Sequence, residues 1–393
     1  MGRHKKEPEA PITNSSSTPS TSTITSQIDE LKNGVPNIPK SDLLIKKLAE
    51  KAKLLKEICS FRANDIGTAD QIPPVKVYPT GIDILDNYVL GCGGVPQGSF
   101  IEISGLESSG KSALSYFIGG AMQSRNPDLT ADIYDVEDAF TPSWGQSMGM
   151  ALDRTRKIPF WGLENLSELV KANLAMENPS EISVIDSLAV LQPQQVMGKT
   201  LDELGMNDNM QRAKLLTDFF NSVRDGFWFP QQDAKGDIPK GAKQIKIGYT
   251  PCVLICINHV KPHTKMAGGR SYVEYETVGG MSLRYHASIR LTVSRAGFEK
   301  TGDKVTHQLV KVKCIKNKYG PPQRECELKL AFSGGLEANE GVNYLELALT
   351  KGLVVQKGPM IVSALLPNGK IKGKQAFNEL VESTPDLKKL FIN

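Results

Sequence analysis

Acidic residues are missing from two long stretches of this 393-residue chain, one between Lys304 and Arg324 and one between Leu347 and Asn378. The first stretch holds Lys304, Lys311, Lys313, Lys316, Lys318 and Arg324, and the second Lys351, Lys357, Lys370, Lys372 and Lys374. The net charge is only +4, so the molecule as a whole is no polycation, and it is the local depletion of acids that points to a polyanionic partner. Cysteine is sparse as well. Six in a chain of this length build no disulfide framework. Cys252 and Cys256 fall inside the apolar run 252–257, where a thiol behaves as a small hydrophobe. No Cys/His spacing fits a metal centre. No run approaches the roughly 18 apolar residues of a membrane span, and no signal-peptide h-region is present. Met1-Gly2 opens like a myristoylation start, but Lys6 stands where Ser or Thr belongs. What remains is a reduced, cytoplasmic protein with no membrane partner, in which 40% hydrophobic residues suffice for about two to three domains.

What is present is Gly105-Leu106-Glu107-Ser108-Ser109-Gly110-Lys111-Ser112, which matches the phosphate-cradling pattern G-x-x-x-x-G-K-S/T at every constrained position. Glycines let backbone N–H groups converge on an anion, Lys111 is placed to reach β- and γ-phosphates, and the Ser112 hydroxyl is a ligand for Mg²⁺. The strand-like run 100–104 precedes the loop and a helix-compatible segment from Ala113 to Met122 follows it. That helix would add its N-terminal dipole. A nucleoside triphosphate with Mg²⁺ is therefore the expected ligand.

Around this motif, residues 1–27 are rich in Ser, Thr and Pro and read as a disordered tail. Residues 28–68 form a linker and one helix, because Leu43, Leu44, Leu48, Ala52, Leu55 and Ile58 recur at helical spacing. So short a helix needs a core or a neighbouring subunit to pack on. Residues 69–336 alternate strand-like and helical segments. Runs 133–134, 182–185 and 252–257 read as buried parallel strands, and 289–293, 309–314 and 326–330 as further strands of one sheet, some antiparallel. Residues 337–393 read as a small basic domain around a Pro367-Asn368-Gly369 turn. The segment 228–248, with Lys235, Lys240, Lys243 and Lys246, reads as an insertion.

Two strand ends complete the triphosphate site. The run 182–185 ends in Asp186, placed at the edge where a carboxylate meets Mg²⁺. The run 133–134 ends in Asp135, Glu137 and Asp138, any of which could orient a water for in-line attack. Glu137 is preferred, although residue types alone do not separate the three.

Residues 79–86, 91–98, 105–112, 185–187, 257–259, 278–280 and 314–318, taken in order, resemble the RecA family of recombinases, bacterial and phage (UvsX-like). The resemblance runs from about residue 77 to the end. It implies an α/β fold: a P-loop ATPase core with a mostly parallel central sheet, an antiparallel extension and flanking helices, joined by an N-terminal helix and a small α+β C-terminal domain. It implies a bacterial or phage-infected cell, and self-assembly into a helical filament on single-stranded DNA that samples duplex DNA and exchanges strands. By the same resemblance Glu137 activates the hydrolytic water. Trp144 takes the adenine-stacking position, Thr141 replaces a neighbouring aspartate, and Ala113 follows the loop. His259 replaces a glutamine that senses the γ-phosphate, which would make the sensor respond to protonation. Lys316 and Lys318 match lysines that cross to the neighbour's ATP, as an arginine finger does.

Two segments resemble the DNA-facing loops. One spans 195–209 with Met197 and Lys199. The other, 260–280, is read as a structureless loop with Lys261, His263, Lys265, Arg270, Tyr272, Gly279 and Gly280. Cations there track phosphates and aromatics stack on bases. The C-terminal lysines are expected to help capture duplex DNA. A ring helicase of the same ATPase class, and an accessory module that binds ATP without hydrolysing it, are the alternatives.

Overall fold

The computed structural model describes residues 46, 74–176, 178–203, 205–226, 252–267, 270–278, 281–339, 344, 345, 347–349 and 351–392. The Ser/Thr-rich tail, all of the proposed N-terminal helix except Lys46, and the 228–248 insertion lie outside the described residues.

A short antiparallel ribbon, β1 (Val77–Tyr78) and β2 (Val95–Pro96), leads into the main sheet. That sheet contains β3 (Phe100–Gly105), β4 (Ala131–Asp135), β5 (Thr155–Lys157), β6 (Ile182–Asp186) and β7 (Val253–Ala267), which pairs beyond the sheet with β8 (Arg270–Thr277). It continues through β9 (Ile289–Thr301), β10 (Lys304–Asn317), β11 (Arg324–Ala331) and β12 (Leu336–Ala338). The order is β12-β11-β10-β9-β3-β7-β6-β4-β5. From β9 to β5 every pairing is parallel, and β10, β11 and β12 add antiparallel. The expected mixed sheet is thus present, with its antiparallel extension on one side.

The central strands are apolar on both faces because each face carries its own core. Val253, Ile255 and Ile257 join the cluster that includes Ile101, Ile103 and the helix Lys111–Arg125. Leu254 and Cys256 alternate with them and join Phe100 of β3 and Leu166, Phe219 and Phe220 of helices Gly162–Ala175 and Met206–Gly226. The two-residue period of a strand sorts one sequence run into two cores.

Helix Lys111–Arg125 is buried along most of its length. Gly120 makes this possible, since a Cβ there would lie 2.4 Å from the carbonyl carbon of Gly149. At the C-terminal end, β13 (Val355–Lys357), β14 (Met360–Val362) and β15 (Lys370–Lys372) form an antiparallel sheet, followed by helices Lys374–Ser383 and Pro385–Ile392. Phe377 and Phe391 stack with centroids 5.9 Å apart, within the same apolar cluster as Leu85 and Leu330. Of the C-terminal lysines, Lys351 is already engaged, donating to the Ile392 carbonyl at 2.8 Å.

Two readings of the sequence need correction. Residues 260–267 and 270–277 are not structureless: β7 and β8 pair from Val260↔Thr277 to Ala267↔Arg270 as an antiparallel arm. Val260, Thr264, Tyr272, Val273, Tyr275 and Thr277 are β-formers, and they outweigh the signals of Pro262 and the charges. The segment 195–209, read from the sequence as one of the DNA-facing loops, is not continuous loop either. It contains helix Gln194–Met197, a helical turn at Leu201–Glu203, and the start of the helix at Met206.

Candidate functional site

The parallel strands deliver their C-terminal ends to one edge, and there the chain turns tightly. A side chain at Gly105 would place its Cβ 2.2 Å from the Val293 carbonyl oxygen of β9, so only glycine ends β3 there. Ser108 and Gly110 have φ of 55° and 99°, which folds the backbone around the space in front of the helix that starts at Lys111. The Lys111 amine donates to the Leu106 carbonyl at 2.8 Å. Burial lowers its pKa, opposed by the Asp186, Glu137 and Glu107 carboxylates. The Ser109 hydroxyl is buried in this cradle without a hydrogen-bond partner.

Asp186, at the end of β6, is 2% exposed. Its carboxylate accepts from the Tyr116 hydroxyl at 3.1 Å, with the Ser112 hydroxyl close by. Burial raises its pKa, with those hydroxyls pulling the other way. The carboxylate therefore stands beside the first helical turn, next to the hydroxyl paired with it in the sequence reading.

The three carboxylates after β4 separate cleanly. Asp135 turns inward, accepting the N–H groups of Ala139 and Phe140 at 3.1 and 2.9 Å, and pairs with Lys157 at 3.0 Å. Asp138 is exposed and held by the same lysine. Only Glu137 faces the pocket. It accepts a hydrogen bond from the Ser187 hydroxyl, and its Oε1 lies 3.1 Å from His259 Nε2. The expected water-activating group and the expected γ-phosphate sensor thus touch each other.

The pocket, about 330 Å³, is lined by Glu107 to Ala113 together with Glu137, Trp144, Asp186 and His259. Gly105 and Leu106 form its approach rather than its wall. Thr141 is not in the lining. Its hydroxyl caps helix Pro142–Ser147 by accepting the backbone N–H of Trp144 at 3.3 Å. Gln308 and Phe332, which the sequence reading did not identify, also line the pocket. Gln308 Nε2 donates to the Ser108 carbonyl at 2.9 Å and so clamps the phosphate loop to β10. Phe332 and Trp144 give the pocket aromatic surface for a nucleobase.

The remaining predicted residues lie elsewhere. Met197 is exposed at the end of its short helix, and Lys199 is paired with Asp208 at 2.5 Å. Lys261 is exposed on the β7–β8 arm, and Lys265, Arg270 and Tyr272 occupy ladder positions towards its tip. Gly279 and Gly280 lie outside the described residues. Lys316 and Lys318 are absent from the pocket lining. The Lys316 amine donates to the carbonyls of Arg284 and Tyr285 at 2.6 and 2.9 Å, and the Lys318 N–H to the Ser288 carbonyl at 3.0 Å.

The RecA N-terminal domain family matches residues 60–223 and 242–337. The chain belongs to the RecA family. Protein RecA of Syntrophus aciditrophicus is 31% identical over 75% of this chain and 76% of its own length. Protein RecA of Allochromatium vinosum is 28% identical over 76% of each. The mitochondrial DNA repair protein recA homolog of Dictyostelium discoideum is 29% identical over 75% of this chain and 58% of its own length. The family match omits residues 224–241, overlapping the segment read as an insertion. No helix among the described residues is long and apolar enough to cross a membrane.

Proposed function

We propose that this RecA-family protein is an ATP-dependent recombinase that polymerises on single-stranded DNA, pairs it with homologous duplex and exchanges strands, hydrolysing ATP in response to DNA. Ser112 and Asp186 fit a divalent cation. Both offer hard oxygen donors, they face each other, and the Asp186 carboxylate is buried without a cationic partner at ion-pair distance among the described residues. Bound Mg²⁺ supplies charge neutralisation on the triphosphate. Lys111, the backbone of 107–112 and the unpartnered Ser109 hydroxyl bind phosphate. Trp144 and Phe332 hold the base, Glu137 accepts a proton from water, and His259 sets when Glu137 is available.

One observation carries the assembly part of this reading. Gln308 of β10 lies at the pocket, whereas Lys316 is eight residues further along the same strand, a distance of ~27 Å at the rise of a β-strand. A cation that far away cannot serve its own subunit's triphosphate, so Lys316 and Lys318 are suited to act on a second copy's. The exposed β7–β8 arm begins immediately after His259, which suits it to report bound DNA to the pocket. Electron microscopy with single-stranded DNA and a slowly hydrolysed ATP analogue tests this. Filaments whose length follows the DNA are expected, and rings or monomers would overturn the reading.

A further inference from the structure

Strand β3 is apolar at Phe100, Ile101 and Ile103, yet carries a carboxylate at Glu102 that is fully buried. A phosphate site has no use for it, since it faces away from the pocket lining. Isolating a charge there is costly, and well-packed apolar residues would serve the sheet equally well. Its partners explain its presence. Glu102 Oε1 accepts from Asn258 Nδ2 at 3.0 Å, and Oε2 accepts from Arg290 Nε. Asn258, itself fully buried, donates a second hydrogen bond to the Val278 carbonyl at 2.8 Å and accepts the His259 N–H at 2.9 Å. Val278 follows β8 directly and His259 lies at the root of the arm on β7, so Asn258 grips both legs of the arm where they enter the sheet. On the other side, Arg290 stands opposite Lys316 in the β9–β10 ladder. The Lys316 amine in turn is held by carbonyls of the helix Met281–His286, which follows the arm in sequence.

We propose that Glu102 and Asn258 are positioning residues that tie the base of the β7–β8 arm to the Lys316 edge, so that the state of the arm sets the position of the cation delivered to a neighbouring subunit. The inference rests on the function proposed above. Both Asn258 donors are committed, to Glu102 and Val278, and its oxygen takes the His259 N–H, so a shift of either leg of the arm breaks one of these bonds or moves Glu102. Moving Glu102 redirects Arg290, the nearest side chain across the ladder from Lys316. Burial first, then Lys318 and Arg290, disfavour the charged Lys316 amine and Glu102 favours it, so the carboxylate offsets part of the like charge gathered at that edge.

The test measures ATP turnover with and without single-stranded DNA, together with DNA binding and thermal midpoint, for wild type, Glu102→Gln and the double variant Glu102→Met/Arg290→Met. Glu102→Gln keeps an acceptor for Asn258 and removes the charge facing Arg290. The double variant removes both charges and keeps the volume filled. Turnover without DNA is expected within about twofold of wild type and DNA affinity unchanged, while stimulation by DNA falls about tenfold or more. Stimulation equal to wild type in both variants overturns the inference, as does loss of folding in both, which would make the pair a core requirement only. A wild-type protein whose turnover DNA does not stimulate refutes the proposed function instead, so the two failures are distinct.

Discussion

Replacing Glu137 with glutamine isolates chemistry from architecture, because the structure assigns very different magnitudes to the two. The substitution preserves volume and leaves Ser187 an acceptor. What is lost structurally is the contact with His259, whose partners are 35% and 30% exposed. A pair that open to water contributes about 0–1 kcal/mol to stability, a fall in thermal midpoint of no more than about 3 °C. Loss of a general base costs roughly 10²–10⁴ in rate, or about 2.7–5.4 kcal/mol of barrier. The chemical effect therefore exceeds the structural one several-fold. Nucleotide affinity should hold within a few-fold, since Lys111, the loop backbone and Ser112 are untouched. Phosphate release in the presence of DNA and titration with a fluorescent ATP analogue read the two quantities separately. Turnover within tenfold of wild type, or affinity lost in step with turnover, would refute the assignment of Glu137 to the hydrolytic water.

Lys111→Ala should abolish hydrolysis, as should the double variant Lys316→Ala/Lys318→Ala. Mixing the two should restore part of the activity at interfaces that join an intact pocket to intact lysines, and complete absence of recovery would place the lysines outside the reaction. Gly120→Ala should lower stability by about 1–2 kcal/mol, since overpacking costs about 1–3 kcal/mol and alanine recovers up to about 1 kcal/mol of helix propensity. Its new Cβ would meet the backbone of Gly149 and Met148, which cannot rotate away. A thermal midpoint at or above wild type would show that the helix and the 148–149 turn separate easily.

The phosphate loop and the strand leading to Asp186 were legible because both are local patterns. A strand, a glycine-bounded turn and a helix fall within some twenty-five consecutive residues, and the apolar run before Asp186 fixes its exit from the sheet. The choice among Asp135, Glu137 and Asp138 was not legible from residue types. Within four residues the backbone turns one carboxylate into the core, one into the pocket and one into water, and nothing in their chemistry orders them. Gln308 and Phe332 reach the pocket from about 200 residues away in sequence. A faint signal for Gln308 existed: it occupies the buried beat of a strand that continues with Val310, Val312 and Cys314, a polar residue where the alternation asks for an apolar one. Glu102 breaks β3 in the same way. The arm of β7 and β8 was obscured because its stability comes from pairing, while its sequence mixes charges, Pro262 and glycines that locally read as loop.

If Lys316 and Lys318 act on a neighbour as proposed, the arrangement of the sheet makes assembly a condition of catalysis rather than an accompaniment to it. Parallel strands gather their C-terminal ends at one edge, so the phosphate loop, Glu137 and Asp186 meet there by topology. An antiparallel neighbour necessarily runs the other way. β10 enters beside the pocket with Gln308 clamping the phosphate loop, and leaves at the far edge with Lys316. Gln308 and Lys316 therefore cannot meet at one pocket of a single subunit, because the span of the strand is set by the rise per residue and is not adjustable. On the proposed trans role of Lys316 and Lys318, an isolated subunit binds nucleotide but lacks the cations that stabilise charge on the transferred phosphoryl group. A row of subunits completes every site except the one at its end. On that proposal hydrolysis reports how many neighbours are joined, and DNA, by aligning the arms at the roots of β7 and β8, promotes that joining.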